Sequence, residues 1–496
     1  MPTNQLHTMQ PLLRGPASKL GSQVLQRLEA EIVDAGWTKG RRLGAEEELS
    51  RRFGVSRAIM REAIAMAELN GLVESRRGNN GGLFVAASAQ WVAVSTLRHY
   101  LVLSGATPAE VDKIRAIVQR CACLAAMRQM DLENAQRLRE HLRVRSENPR
   151  DTIRGLRLAL GEIHSISGES TLGLFDLALA ESSMDLLLWA GASRTDVERL
   201  GTAIWDLRRI QIEAVIGADP VSVWEAQEQV QRAYQREQRH VARQSNTAAI
   251  LNVDLEQRSL AFMRDELKPM KKPEAVARII AQKIIRSEIA VGDRIGCEQD
   301  LMRDLGVSRG VVREAVRTLE RHGIVALERG FAGGIYAAAP TSEEAVRVAR
   351  VYLSMEPPGE PSATLNLALA LQLAAAEFAA RRAKAGDAAL SQRLEQFDAW
   401  LDTACWTPLE ELRAYYFFLA EVSGSRVLDC FMRILSNHAA IRVDASKIDI
   451  RATRELQRGL LRAIAQGDRS LARRYVLEGH KASGVGSSLD LYAEGA

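Results

Sequence analysis

One segment of this sequence occurs twice. Residues 41–86 align without a gap onto residues 293–338, at an offset of 252 positions, and 20 of the 46 aligned pairs are identical. The stretches GVSRAIMREA (54–63) and GVSRGVVREA (306–315) lie inside this repeat. Chance does not produce such agreement over so long a segment, so the fold must contain two copies of one small module.

Length and composition indicate a helical protein of several domains. A chain of 496 residues is too long for one hydrophobic core. Aromatic residues make up only 5% of it, which favours helices over sheets. We therefore predict a mainly α fold with two domains that are each made of three helices and a β-hairpin, and an all-α helical bundle after each. The predicted domains are 15–88, 90–265, 270–339 and 341–496.

Each copy of the module predicts helices joined by a tight turn. A short helix should end at Gly54 or Gly306, because glycine tolerates the left-handed backbone conformation that closes such a turn. Ser56 and Ser308 then stand where the N-cap of a third helix is expected, and both are candidate DNA contacts. A serine oxygen at that position accepts a hydrogen bond from a free backbone amide.

The third helix should carry an apolar stripe on one face and arginines on another. Arg57 and Arg61 are four residues apart and share a face, as do Arg309 and Arg313. Paired guanidinium groups on an exposed helix suit phosphates and guanine edges in a major groove. The alternative is a solvated face, or local pairing with a carboxylate, but the repetition of both arginines favours nucleic acid. The predicted apolar stripes are Met60, Ala63, Ile64 and Ala67 in the first copy, and Val312, Ala315, Val316 and Leu319 in the second.

A glycine-rich hairpin, or wing, should follow each third helix. Short β-prone runs flank glycines that would let the backbone approach a phosphate or a minor groove closely. An arginine stands beside each tip. The predicted wing contacts are Arg77, Gly81 and Gly82 in the first copy and Arg329, Gly333 and Gly334 in the second.

The two segments resemble the winged helix-turn-helix of GntR-type bacterial transcriptional regulators. The resemblance covers LGAEEELSRRFGVSRAIMREAIAMAELNGLVESRRGNNGGLFV and IGCEQDLMRDLGVSRGVVREAVRTLERHGIVALERGFAGGIY. It implies that the paired arginines and the wing tips contact operator DNA. A further DNA-contacting arginine of the family falls on Glu47 and Gln299, where no such contact is expected and where Glu47 would repel phosphate. Ala65 is replaced by Arg317 in the second copy, and Ala58 by Gly310, so the operator need not be a palindrome.

The regions after the modules resemble the FCD effector domain of the same regulators. The clearest stretches are LAEVSGSRVLDCF (419–431) and LLRAIAQGDRSLARRYVLEGH (460–480). The resemblance implies a small carboxylate effector, often bound through a metal. We expect no bound metal, because the family's ligand positions fall on Leu412, Tyr416, Gln457 and His480 in the second copy. The candidate effector-binding residues are Arg115, His164 and His480; the alternative is that both histidines are ordinary core residues.

The sequence thus predicts a sequence-specific DNA-binding regulator rather than an enzyme. We expect an effector-responsive repressor that acts as a single-chain pseudo-dimer on a two-half-site operator, with a small organic acid as effector and no cofactor. The absence of zinc-type cysteine spacing, signal peptide and long apolar run indicates a cytoplasmic protein without a membrane partner. Homodimerisation through the bundles stays open. The alternatives are a ligand-binding or enzymatic bundle protein with vestigial DNA-binding modules, and an architectural DNA-binding protein without an effector.

Overall fold

A computed structural model gives the fold of residues 20–34, 40–69, 72–76, 78, 81–86, 89–142, 149–190, 192–244, 272–285, 288–328, 333–356, 361–403, 407–439 and 448–482. These residues form mostly helices, together with two small sheets, so the predicted fold class is confirmed. Each copy of the repeat has a winged helix-turn-helix module, here called a head. A linker helix and a group of further helices, here called a bundle, follow each head. The four predicted domain boundaries stay predictions.

The first head, linker helix and bundle contain ten helices in the described part of the chain. The head consists of α1 (Leu20–Asp34), β1 (Arg42–Gly44), α2 (Glu46–Phe53), α3 (Arg57–Leu69), β2 (Val73–Arg76) and β3 (Gly82–Val85). The linker helix is α4 (Ala89–Leu103). The bundle consists of α5 (Pro108–Arg128), α6 (Leu132–His141), α7 (Pro149–Ser167), α8 (Ser170–Trp189), α9 (Arg194–Ile216) and α10 (Pro220–Gln244).

The second copy repeats this order. Its head consists of α11 (Lys272–Ile285), β4 (Arg294–Gly296), α12 (Glu298–Leu305), α13 (Arg309–Arg321), β5 (Val325–Glu328) and β6 (Gly334–Ala337). Its linker helix is α14 (Glu343–Met355). Its bundle consists of α15 (Pro361–Lys384), α16 (Ala388–Thr403), α17 (Pro408–Val422), α18 (Arg426–Ala439), α19 (Ile450–Ala465) and α20 (Arg469–Ala482).

The tight turns of the two heads form as the glycines predict. Gly54 and Gly306 have φ of +66° and +64° and end α2 and α12 in the left-handed conformation. The serines of the following turn are less regular. Ser56 Oγ accepts a 3.4 Å hydrogen bond from the amide of Ile59. Ser308 is the N-cap residue of α13, but its side chain makes no capping hydrogen bond, so the expected cap is absent there.

Each wing belongs to a three-stranded sheet, one strand more than expected. The strand order is β1-β3-β2 in the first head and β4-β6-β5 in the second. β1 and β4 precede the helix-turn-helix and pair antiparallel with the last strand of the wing, through Arg42 opposite Phe84 and Arg294 opposite Tyr336. The extra strand ties the wing to the base of α2 or α12, which limits how far the hairpin can move from the helix-turn-helix.

The linker helices are exchanged between the copies. The structure divides into two compact units, one with residues 1–95 and 348–357 and the other with residues 96–347 and 358–496. Within the first unit, Val351 and Met355 of α14 pack against the apolar core of the first head. Within the second unit, Leu103 of α4 belongs to the buried core of the second head. Each head is therefore completed by the linker helix of the other copy.

The two bundles pack on each other inside the second unit through related contacts. The rings of Phe175 (α8) and Phe431 (α18) stack with centroids 3.8 Å apart, and both are completely buried. Glu110 of α5 accepts a 3.1 Å hydrogen bond from the amide of Val427 near the start of α18. The start of α15 contacts the start of α8 in a similar way. Thr364 Oγ1 donates a 2.7 Å hydrogen bond to Glu169 Oε2. Each bundle thus supplies the same two helical elements to the interface.

One helix among the described residues is long and apolar enough to cross a membrane by length and composition. It is the segment Ser362–Lys384, and 83% of its most apolar window is buried inside the protein. Such burial is typical of the central helix of a bundle. The sequence was expected to contain no long apolar run, so an apolar segment of this length was not predicted.

Candidate DNA-binding site

The third helix of each head, α3 and α13, has one buried face and one exposed face. In α13 all four residues of the predicted stripe are buried, and in α3 Met60, Ala63 and Ala67 are buried while Ile64 is partly exposed. This apolar contact holds the helix on its head. The arginines four residues apart lie on the exposed surface, with 61% of the Arg57 side chain and 63% of the Arg309 side chain accessible to solvent.

In the first head each of these arginines is paired with a glutamate of α2. Arg57 Nη2 lies 2.6 Å from Glu47 Oε1, and Arg61 Nε lies 2.7 Å from Glu46 Oε1. The alternative of local pairing is therefore observed in the DNA-free chain, with the partners in α2 rather than in α3. Exposed pairs of this kind contribute only about 0–1 kcal/mol, so a phosphate or a base edge can replace the glutamates.

In the second head one glutamate serves both arginines. Arg309 and Arg313 each donate from Nε to Glu298, at 2.9 Å. These two hydrogen bonds lower the pKa of the Glu298 carboxyl. The position of Glu47 is taken by the neutral Gln299. In the first head the charges of the two arginines and the two glutamates sum to zero. In the second head the charges of the two arginines and Glu298 sum to +1.

The exposed surface of α13 carries a further arginine. Arg317 is exposed, one turn beyond Arg313, at the place where the first head has Ala65, which is also exposed. The two heads therefore offer different side chains to a duplex, as the sequence comparison predicts.

Close packing in the first wing requires glycine at two of the positions predicted to contact DNA. A Cβ on Gly82 would lie 2.7 Å from the carbonyl oxygen of Gly44 in the neighbouring strand, and Gly82 has φ of +138°. A Cβ on Gly81 would lie 2.5 Å from the carbonyl oxygen of Arg76.

The second wing is tied to its sheet in a similar way. A Cβ on Gly334 would lie 2.8 Å from Arg294 Nε, and Arg294 Nη2 reaches the carbonyl oxygen of Gly333 at 3.5 Å. The predicted wing arginines Arg77 and Arg329 lie outside the described residues.

Comparison with known proteins identifies the repeated head. The family model described as "Bacterial regulatory proteins, gntR family" matches this chain twice, at residues 20–85 and 272–333. The two heads are therefore similar to the DNA-binding domain of the GntR family. Both matches coincide with the winged helix-turn-helix heads, so the tandem arrangement read from the repeat agrees with the two GntR matches.

Individual relatives match part of the chain. It is 33% identical to the Uxu operon regulator of Haemophilus influenzae over 88 residues, which are 18% of this chain and 31% of that protein. It is 27% identical to the Uxu operon transcriptional regulator of Escherichia coli over 157 residues, 32% of this chain and 56% of that protein. The matches thus span less than two thirds of these relatives. A solved Streptococcus agalactiae GntR structure aligns with 43% of this chain and 99% of its own, at 22% identity and a TM-score of 0.33.

The interior of the first bundle is filled by its own polar side chains. The predicted effector residues Arg115 and His164 both approach Asp176, at 3.2 and 3.4 Å. Arg115 also donates to the hydroxyl of Tyr234 at 3.1 Å. Burial lowers the pKa of His164, which keeps the imidazole neutral near neutral pH. The remaining space beside Arg115 has a volume of about 10 Å³, about that of one water molecule.

A second arginine, Arg208, is buried in the interior of the first bundle. Arg208 is 1% exposed and donates hydrogen bonds to the amide oxygens of three glutamines, Gln119, Gln211 and Gln227, at 2.6 to 2.9 Å. Burial, and then the neighbouring charge of Arg115, lower the pKa of Arg208. Arg208 and Asp176 were not predicted from the sequence, because neither belongs to a motif.

The second bundle contains a larger cavity at the positions that the family resemblance points to. Its volume is about 120 Å³, and its lining includes Leu412, Tyr416, Gln457 and His480. Burial lowers the pKa of His480 to about 4, so its imidazole is neutral near pH 7. Ala368, which holds the same place in α15 as Arg115 does in α5, lines the same cavity. The positions given by the family resemblance thus lie around this cavity, although only His480 among them was predicted as an effector contact.

Several polar atoms at this cavity have no hydrogen-bond partner. They are Arg413 Nε, the Tyr416 hydroxyl, and both amide atoms of Gln457, whose side chain is almost completely buried. Buried polar groups without partners are costly, and they are usually satisfied by water or a ligand. Among the described residues that line the cavity, Arg413 alone carries a permanent charge and none is a carboxylate. The arrangement favours an anionic or polar guest.

Among the described residues, one group of three side chains has the spacing of metal ligands. Asp196, Glu237 and His240 bring their ligand atoms within 4.8 Å of one another. The guanidinium of Arg199 already occupies this place, 2.6 Å from Asp196 Oδ1 and hydrogen-bonded to Glu237. A cation would have to displace it.

Proposed function

We propose that this chain is a sequence-specific DNA-binding transcriptional regulator in which both heads contact one operator. The observation that carries this proposal is the repeated, solvent-exposed arginine pair on α3 and α13 within two GntR-family heads. The uxu regulators that the chain resembles are named for transcriptional control, which supports the same role. We expect the phosphate contacts to supply affinity and the arginines to read base edges.

The experiment is selection of binding sites from a random duplex library with the full chain, followed by affinity measurements on the selected duplex. Two double variants remove one arginine pair each: Arg57→Ala with Arg61→Ala, and Arg309→Ala with Arg313→Ala. Loss of a bidentate contact to a base costs about 1–3 kcal/mol, so each variant should bind at least about tenfold more weakly.

The matched control is Arg232→Ala in α10. Arg232 is similarly exposed and is also paired with a glutamate, Glu228, at 2.9 Å. This variant should bind as the wild type does. Unchanged affinity in both head variants would contradict the assignment of the heads as the DNA-reading surface.

We further propose that one chain acts as a pseudo-dimer. The exchanged linker helices and the paired bundle contacts support this, because each copy contributes the same elements to the other. One chain per selected duplex is the expected stoichiometry in native mass spectrometry. Two chains on a duplex with two half-sites would contradict the pseudo-dimer and favour a homodimer assembled through the bundles.

We expect an effector to release this chain, acting as a repressor, from DNA. We assign the effector site to the second bundle. The cavity there is close in volume to an engineered cavity of about 150 Å³ that accepts benzene, and Arg413 would hold the carboxylate of a small organic acid. In the first bundle Arg115 is already neutralised by Asp176. His164 would be a structural residue under this proposal.

Straight-chain carboxylates of two to six carbons are suitable probes. In calorimetry with the full chain, at least one should bind at a single site, and Arg413→Met should abolish that binding while Arg115→Met leaves it intact. Binding that survives Arg413→Met would contradict the assigned pocket. If no carboxylate in the series binds, the pocket assignment fails, and an architectural DNA-binding role gains support.

A further inference from the structure

A network of four charged side chains joins the second head to the first linker helix and the first bundle. Arg98 of α4 donates from Nη1 to Asp185 of α8 at 2.9 Å and from Nη2 to Glu274 of α11 at 2.6 Å. Arg278 of α11 donates to the same oxygen of Asp185, at 2.5 Å. All four residues belong to one compact unit. Three of the side chains are less than a tenth exposed, and Glu274 is 20% exposed.

The charges of this network are paired, and their burial makes the geometry restrictive. Two guanidinium groups face two carboxylates at hydrogen-bond distance, and the carboxylate of Glu181 also acts on Arg98. Removing one partner would leave an uncompensated buried charge, which is strongly unfavourable. Replacing a whole buried network by apolar side chains is often neutral or stabilising. Such a network therefore selects one arrangement of its helices more than it stabilises the fold.

Two positions of this network carry uncharged residues in the other copy. In the register of the repeat, Ser22 and Gln26 stand where the second head has Glu274 and Arg278. Val351 stands at the position of His99 and packs against the apolar core of the first head. A head can thus join its linker helix through apolar contacts. Arg350 stands at the position of Arg98, and the two copies differ in sequence at the positions of Glu274 and Arg278.

The network reaches the recognition helix through α11. Residues of α11, among them Val276 and Ile280, share one buried core with Val316 and Leu319 of α13. His322, at the end of α13, is buried, and its ring lies 6.0 Å from that of His99, which in turn contacts Glu274 at 2.9 Å. Any shift of α11 relative to α8 would therefore move α13 and its arginines.

We propose that Arg98, Asp185, Glu274 and Arg278 are positioning residues that fix the second head on the bundles and so restrict the half-site separation this chain accepts. The inference rests on the proposed DNA-binding function. It assigns to these residues an effect on spacing, not on recognition of the individual half-site.

The test removes the network as a whole. The main variant combines Arg98→Met, Arg278→Met, Asp185→Leu and Glu274→Leu in the full chain. The matched control is Arg454→Met with Glu411→Leu, which removes an ion pair of 2.7 Å in the second bundle, where Glu411 is completely buried. The probes are selected duplexes with the two half-sites moved apart or together by roughly one to five base pairs, up to half a helical turn.

Wild type and control should lose about tenfold in affinity or more when the separation changes, because one head must then be displaced. The fourfold variant should keep its affinity for the selected half-sites and lose less than about threefold across the series. Its urea unfolding midpoint, measured in parallel, should match or exceed that of the wild type. If the network had only a structural role, its removal would change this midpoint. The spacing profile, which is affinity plotted against half-site separation, would then stay as sharp as in the wild type.

A sharp spacing profile in the folded fourfold variant would overturn the inference. If that variant does not fold, Arg98→Gln, Arg278→Gln, Asp185→Asn and Glu274→Gln together take its place, since they remove all four charges and keep polar side chains. A sharp profile there overturns the inference equally. A wild-type chain without any sequence preference would instead refute the proposed function, and the inference with it.

Discussion

Glu47 should weaken DNA binding by the first head, and its neutralisation should strengthen it. The Glu47 carboxylate holds the guanidinium of Arg57 at 2.6 Å, and both side chains are more than half exposed. Glu47→Gln reproduces the second head, where Gln299 occupies this position. The change frees Arg57 for DNA and removes a negative charge beside the surface expected to face phosphates.

The size of the effect follows from the exposure of the pair. An exposed ion pair contributes about 0.2–1 kcal/mol, which corresponds to at most about a fivefold change in Kd. Removing a like charge within a Debye length of the phosphates, about 8 Å at physiological salt, adds a contribution of the same order. We expect Glu47→Gln to bind roughly two- to tenfold more tightly, with the gain shrinking as salt is raised.

The assay is fluorescence anisotropy of the full chain with a duplex selected by the wild type. Gln299→Glu is the reciprocal variant and should weaken binding by a similar factor. Glu395→Gln, an exposed glutamate of α16, makes the same charge change away from the heads. The reasoning would be refuted if Glu47→Gln bound no more tightly than Glu395→Gln and Gln299→Glu bound as the wild type does.

Three further predictions concern stability in urea or heat. Burial, followed by the charge of His99, lowers the pKa of His322 well below 6.5. The unfolded chain therefore takes up this proton first, and stability falls as pH drops below about 6.5, by up to about 1.4 kcal/mol per pH unit. His322→Asn, which copies residue 70 of the first head, should flatten this dependence, and an unchanged pH profile in urea unfolding would contradict the assignment. Phe431→Ala removes the ring stacked on Phe175 and should cost about 3–5 kcal/mol in urea unfolding; a loss below about 1 kcal/mol would show that the bundles do not depend on this stack. Tyr416→Phe removes a buried hydroxyl without a partner and should raise the free energy of unfolding by about 1 kcal/mol, seen as a higher Tm; a lower Tm would mean that the hydroxyl is already satisfied.

The heads could be predicted closely because their signals are local. Gly54 and Gly306 mark the turn in each copy, and the apolar stripes of α3 and α13 follow helical spacing. β1 and β4 were missed, because three residues carry no readable alternation and their pairing with Phe84 or Tyr336 spans about forty positions. The partners of the arginines were also missed, although the identity of Glu46 and Glu298 within the repeat was a visible signal.

The bundle interiors could not be derived from sequence to the same extent. Asp176 and Arg208 stand in helices whose apolar neighbours predict only a core, and their pairing depends on how the helices of the first bundle meet. The family resemblance placed Leu412 and His480 around one region, and both line the cavity there. It could not indicate that Arg413 lacks a partner at one nitrogen, since that depends on packing distances.

The exchange of linker helices makes either half of the chain incomplete on its own. A first half without Val351 and Met355 would expose apolar surface on its head, and a second half without Leu103 would do the same. Two such fragments, produced separately, should find and complement each other as a split protein. A protein with a single repeat would have to exchange its linker helix with an identical subunit. Fusion of two such repeats makes the exchange intramolecular.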